Sequence, residues 1–271
     1  MMNFIKAIKA AWQEKNSLLC VGLDPDISKI PANLRNLETP LFEFNKAIVD
    51  ATADLVCAFK PQIAYYSASH AERDLELTID YIHQNHPGIP VILDAKRGDI
   101  GSTAEMYVQE VFDRYQADAV TVNPYMGTDT LQPFLDRRDK GVIILCRTSN
   151  PGAKDIQDLD SNGKKLYQII AEKAAKEWNY NFNVLLVVGA TFPKELKEIR
   201  FIVGDMPFLV PGIGAQGGDV ESAVVNGKTQ KGTGMIINSS RGIIYANNKD
   251  DFAKAARKAA VNLRDEINQY R

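Results

Sequence analysis

Eight short apolar runs recur along the chain, and stretches with helical spacing separate them. The runs cover residues 18–24, 56–60, 90–93, 119–123, 141–146, 184–188, 208–212 and 235–238. Strands that alternate with helices imply a parallel sheet, because each crossover returns the chain to the same edge. Eight such units in 271 residues imply a closed (β/α)8 TIM barrel, with 1–271 forming a single barrel domain. An open doubly wound sheet is the alternative, but no Gly-x-Gly-x-x-Gly follows the first run.

The intervening segments carry one apolar face each. Residues 3–15 place Phe4, Ile8 and Trp12 together. Thr39-Pro40 reads as a cap followed by a first-turn proline, ahead of Leu41, Phe44, Ile48 and Leu55. Helices are also expected over 70–86, 163–178 and 249–269. Ser102 and Glu105 have the spacing of a capping box, and Val108, Val111, Phe112 and Tyr115 continue as one face.

Composition narrows the function classes. A net charge of −2 provides no basic footprint for nucleic acid. No apolar run approaches the length of a membrane span, and Met1-Met2-Asn3-Phe4 lacks a signal-peptide core, so a cytoplasmic location is expected. Cys20, Cys57 and Cys146 all fall in expected strands, as buried thiols of a reducing compartment do. His70, His83 and His86 lie in or beside one helix without metal-site spacing and read as helix-surface residues.

Barrel chemistry belongs at the C-terminal ends of the strands. There the runs end in Asp24, Lys60, Asp94 with Lys96, and Asn123. The fifth leads into Arg147-Thr148-Ser149-Asn150-Pro151-Gly152, and the eighth into Ser239-Ser240-Arg241-Gly242. Strand alternation puts Asp94 and Lys96 on one face, about 7 Å apart along the strand. Gly98 lets the backbone turn before Asp99. An acid, a base and an acid thus meet at one spot, which is costly to bury without a purpose. A solvated surface ion pair is the competing reading of that triplet alone; the convergence of polar groups on one rim favours a pocket.

The last two loops point to phosphate. Glycines 212, 214, 217 and 218 would let backbone N–H groups approach an anion, and Arg241 would supply a bidentate contact. The Gly- and Lys-rich stretch from Gln216 to Gly234 reads as a mobile lid.

Asp94-x-Lys96-x-x-Asp99-Ile100, with Lys60 ending the second strand, resembles the charged array of the orotidine 5′-monophosphate decarboxylases. Asp24 after Val-Gly-Leu, Ser149 before Asn-Pro-Gly, the Pro-Gly-Ile-Gly-x-Gln run and Ser-Arg-Gly match in the same order. Asp-Ala-Lys-Arg-Gly-Asp-Ile-Gly-Ser-Thr and Cys-Arg-Thr-Ser-Asn-Pro-Gly-Ala are similar to the longer bacterial branch. The resemblance implies conversion of orotidine 5′-monophosphate to uridine 5′-monophosphate and carbon dioxide, with no metal and no organic cofactor. It implies Lys96 as proton donor, Asp94, Lys60 and Asp99 as its charged neighbours, and a homodimer in which Asp99 reaches the partner's site. It also implies substrate contacts from Asp24, Ile100, Thr103, Ser149, Pro211, Gln216, Arg241 and Gly242. Alternatives are a magnesium-dependent sugar-phosphate lyase or synthase of the same superfamily, a Schiff-base aldolase, and a non-catalytic barrel that binds a phosphate ligand.

Overall fold

The computed structural model describes residues 3–213, 218–247 and 249–271. Eight parallel strands form the barrel: β1 (Leu19–Leu23), β2 (Ala58–Pro61), β3 (Ile92–Arg97), β4 (Ala119–Val122), β5 (Gly141–Arg147), β6 (Val184–Val188), β7 (Phe208–Val210) and β8 (Met235–Ser239). Each pairs with its sequence neighbours, and β8 returns to β1 through Leu19 opposite Ile237. Two parallel bridges, Phe59 to Val91 and Gln62 to Asp94, close β2 against β3. The expected (β/α)8 barrel is the observed one.

The strands are mostly apolar up to their C-terminal ends because both faces are covered, inside by one another and outside by helices. Every residue of β1, β2, β4, β6 and β8 is buried. Each buried Val, Leu or Ile contributes about 1.5–3 kcal/mol relative to exposure. Helix Phe4–Glu14 buries Phe4, Ile8 and Trp12, as its spacing requires. Phe4 lies against the first residue of β5, Gly141, so closely that a Cβ there would collide with its ring. All three cysteines are buried and free.

Four local expectations are corrected. The capping box does not form. The helix starts at Gly101, with Ile100 as N-cap and no side-chain cap, so Ser102 and Glu105 already lie inside it. Gly101, at φ +51°, is the residue through which the chain enters the helix ahead of the serine. The helix expected over 163–178 starts only at Leu166. Asp160–Ser161 and Lys164–Lys165 pair antiparallel across Asn162-Gly163, both at positive φ, the hairpin turn that this dipeptide favours. The stretch assigned to a mobile lid contains helix Val220–Gly227, which buries Val220, Ala223 and Val224 and is capped by Asp219 accepting from Ser222 N at 2.7 Å. The histidines are also less superficial than expected. His70 is exposed in a turn, but His83 is half-buried and lies 2.9 Å from Asp118.

Candidate active site

β3 does not run straight into its loop. Its pairing with β4 goes from Leu93 opposite Val120 to Arg97 opposite Val122, so β3 carries extra residues. Lys96 sits at φ +48°, a left-handed conformation that costs a non-glycine residue about 1 kcal/mol or more. The bulge removes ladder partners from two backbone N–H groups. Thr121 Oγ1 takes their place, accepting from Ala95 N at 3.0 Å and Lys96 N at 2.9 Å. The same hydroxyl donates to Asp94 Oδ1 at 2.8 Å. Thr121 therefore both holds the kink and orients the carboxylate.

The kink changes the expected geometry. Lys96 and Asp94 do not stand apart as alternate strand side chains; Lys96 Nζ donates to Asp94 Oδ1 at 2.7 Å. Lys60 Nζ donates to Asp94 Oδ2 at 3.0 Å from β2. Lys60 is 3% exposed. Burial alone would lower the Lys60 pKa, but the Asp94 and Asp24 carboxylates outweigh it and hold the ammonium above its usual value. Burial alone would raise Asp94. Lys60, Lys96 and the Thr121 hydroxyl outweigh that and hold its carboxyl well below the usual carboxylate range. Asp94 therefore stays ionised on acidification well past the pH at which an ordinary aspartate protonates, and the stability it contributes is lost only below that point.

The turn expected at Gly98 lies instead at Lys96 and Gly101, the positions with positive φ. Gly98 serves a different purpose: a Cβ there would stand 3.1 Å from Asn123 O, so its bare backbone lets β3 and β4 stay close past the bulge.

A cavity of about 620 Å³ opens at the C-terminal mouth of the barrel. Lys60, Asp94, Lys96 and Thr121 make one wall, and Leu145, Val187 and Leu209 an apolar one. Asp24, Asn238 and Ser240 close the side between β1 and β8. Ser149, Pro211 and Arg241 stand at the mouth. A charged wall facing an apolar wall suits a flat, partly apolar ligand that carries an anionic group. Among the described residues, no three His, Cys, Asp or Glu side chains gather as a metal-ligand set.

Seven of the sequence-derived candidates, Asp24, Lys60, Asp94, Lys96, Ser149, Pro211 and Arg241, line this one cavity. Three do not. Asp99 is half-buried and accepts from Ile100 N at 2.8 Å, Ile100 is 60% exposed, and Thr103 lies exposed on helix Gly101–Gln109. Gly242 borders a neighbouring cleft with Ile213 and Gly218. Gln216, like Gly214 and Gly217, lies outside the described residues. Gly218 does not offer its N–H to an anion, because it donates to Gly212 O at 3.0 Å. Arg147 is no rim group. It is fully buried behind the cavity, 4.2 Å from the Phe192 ring and 3.1 Å from Asp158 Oδ1.

Thr121 was missed by sequence reasoning. Its signal was a hydroxyl inside Ala-Val-Thr-Val, placed inward by alternation. Replacement by valine strands two N–H groups and takes one of two hydrogen bonds from Asp94 Oδ1, which keeps the one from Lys96 Nζ. Thr121→Val is expected to cost about 1–3 kcal/mol of stability for each group left unsatisfied in the interior. A urea unfolding curve checks this, and an unchanged midpoint would contradict the bracing role.

The chain matches the model of the orotidine 5′-phosphate decarboxylase / HUMPS family over residues 17–258. The chain belongs to this family. A Ralstonia pickettii protein named orotidine 5′-phosphate decarboxylase is 61% identical over 270 residues, covering all of both chains. A Dechloromonas aromatica protein of the same name is 62% identical with the same coverage. Among solved structures, Leishmania donovani OMP decarboxylase superposes with a TM-score of 0.85 at 38% identity, covering 99% of each chain. Leishmania donovani UMP synthase gives a TM-score of 0.89 at 40% identity; the match covers all of this chain and 57% of that longer one. The family match spans all eight strands of the barrel.

Proposed function

We propose that the chain decarboxylates orotidine 5′-monophosphate to uridine 5′-monophosphate and carbon dioxide. The observation that carries this reading is the Lys60–Asp94–Lys96 array: one part-buried carboxylate hydrogen-bonded to two ammonium groups at the mouth of a barrel. Breaking the bond from ring carbon six to the carboxylate leaves an electron pair on that carbon. A fixed cation beside it stabilises the developing charge, and Lys96 then gives a proton to form the new C–H bond. Asp94 keeps Lys96 charged and aimed, while Lys60 and Thr121 keep Asp94 in place. Because these groups are set before substrate arrives, the barrier is not raised by reorganising them.

The remaining assignments follow the cavity. Asp24 takes the ribose, Ser149 the pyrimidine, and Arg241 with Gln216 the phosphate, beside Pro211 and Gly242. Asp99, Ile100 and Thr103 serve the site of a second subunit in a homodimer. Their position off their own chain's cavity supports this, as do the exposed apolar side chains Met106, Tyr125 and Met126 on the loops and helices after β3 and β4. The magnesium-dependent alternative calls for a carboxylate at the end of β2. Lys60 occupies that position and would repel the ion.

The experiment is direct. Purified protein with orotidine 5′-monophosphate and excess EDTA should consume the substrate, followed by its ultraviolet absorbance. Activity that disappears with EDTA and returns with magnesium would overturn the reading.

Arg241→Ala tests the phosphate assignment. Loss of a charge-assisted contact is expected to remove about 1.5–3 kcal/mol or more of transition-state stabilisation. Phosphite dianion added with the bare nucleoside should activate the wild-type protein more than the variant. Equal activation of both counts against Arg241.

A further inference from the structure

Asn238 sits in β8, directly opposite Cys20 of β1, and lines the cavity. It is 9% exposed, yet its carboxamide oxygen Oδ1 makes no hydrogen bond with any described residue. Buried amides in folded proteins almost always have partners. Two neighbouring oxygens share this condition, Asp24 Oδ1 and Ser240 Oγ. The three converge on the end of β1. A Cβ built on Gly22 would lie 3.2 Å from both Asn238 Oδ1 and Ser240 Oγ. The backbone beside Asp24 is meanwhile held firmly: Tyr245 Oη donates to Asp24 O at 3.2 Å and Tyr66 Oη to Leu23 O at 3.0 Å. The geometry thus keeps rigid a set of polar atoms that the described residues leave unpaired.

We propose that Asn238 is a substrate-binding residue that, with Asp24, seats a sugar hydroxyl. The proposal rests on the nucleotide reading of the cavity and adds a contact to it. A carboxylate accepts hydrogen bonds only, whereas a carboxamide also donates. A sugar hydroxyl has one proton to give to an unpaired oxygen, Asp24 Oδ1 or Asn238 Oδ1, and when it donates to Asp24 it also accepts from the Asn238 amide N–H. An anionic group at this point would face the Asp24 carboxylate, and a bare carbonyl would offer it no proton. A neutral group that both donates and accepts is the chemistry that fits. Asparagine in place of an aliphatic residue thereby makes this side of the cavity selective for a hydroxylated sugar.

The test compares wild type with Asn238→Leu, which keeps the branched shape and removes the amide. Substrates are orotidine 5′-monophosphate and its 2′-deoxy and 3′-deoxy forms; calorimetric binding of uridine 5′-monophosphate and its deoxy forms is measured in parallel. Asn238→Leu should lower kcat/KM and nucleotide affinity about 10- to 100-fold with the full ribose. With the deoxy form that lacks the seated hydroxyl, its further effect should shrink below about threefold, because the partner is already gone. An equal loss on all three sugars, or no loss on any, overturns the proposal. A wild-type protein that binds the nucleotides but releases no carbon dioxide overturns the decarboxylase reading instead, and the binding series still decides the Asn238 contact. Matching thermal melts show that the variant is folded. If Asn238→Leu does not fold, Asn238→Ser, which keeps a short hydroxyl, replaces it and is held to the same sugar-dependent pattern.

Discussion

Lys96→Ala is expected to lower kcat/KM by at least about 10⁴-fold while leaving the barrel folded. A positioned general acid contributes about 10²–10⁴, and a fixed cation at developing negative charge adds about 10²–10³. Lys96 would supply both from one ammonium. The structural cost of the change is small for three reasons. The Lys96 side chain is 47% exposed, so little packing is lost. Alanine at φ +48° bears a strain similar to that of lysine, since both carry a Cβ. Asp94 keeps Lys60 at 3.0 Å and Thr121 at 2.8 Å, so it is not left as an unpaired buried charge. Thermal melting should therefore shift by only a few degrees, on the order of 1 kcal/mol or less. The measurement is decarboxylation rate beside a circular dichroism melt. A variant within tenfold of wild type would end the proton-donor role, and a variant that fails to fold would show that Lys96 braces the bulge.

The barrel was legible because its signal is repeated eight times. Buried parallel strands must be apolar on both faces, and eight such runs leave few other architectures. The charged wall was legible for a related reason: Lys60 and Asp94 end strands, where a barrel puts its chemistry. The spacing of Asp94 and Lys96 was not legible. Alternation along a strand predicts a separation that the bulge abolishes, and a lysine at positive φ carries no local signature, unlike Gly101. The bulge depends on Thr121, 25 residues further on, whose hydroxyl replaces the missing ladder partner. Local motifs misled wherever a tertiary contact decided the outcome. Ser102 had the spacing of a cap, but the chain entered the helix earlier through Gly101. The Gly- and Lys-rich stretch looked mobile because the apolar positions Val220, Ala223 and Val224 are few. Asn162-Gly163 held a readable hairpin signal that the helical spacing around it obscured. Asn238 stayed hidden because an asparagine at a strand end reads as a boundary until its unpaired amide oxygen is seen inside the cavity.

Mixing Lys96→Ala with Asp99→Ala is expected to restore activity that neither variant has alone. Asp99 follows Lys96 by three residues, yet it does not line its own chain's cavity; its carboxylate accepts from Ile100 N at the start of an exposed helix. Ile100 and Thr103 turn outward on the same segment, and Met106, Tyr125 and Met126 leave an apolar surface beside them. A two-fold dimer formed through that surface would place each Asp99 in the partner's site, since both sites are built from the same pair of surfaces. In a hybrid dimer, one site then carries both substitutions and the other carries neither. Random exchange of equal amounts makes about half the dimers hybrid, so about a quarter of all sites regain Lys60, Asp94, Lys96 and Asp99 together. Turnover should rise from near zero to about a quarter of the wild-type value per site. If Asp99 acts within its own chain, every site keeps one defect and mixing restores nothing. Subunit exchange is measured separately, by native mass spectrometry of an isotope-labelled variant. Exchange without recovered turnover would reject the shared site.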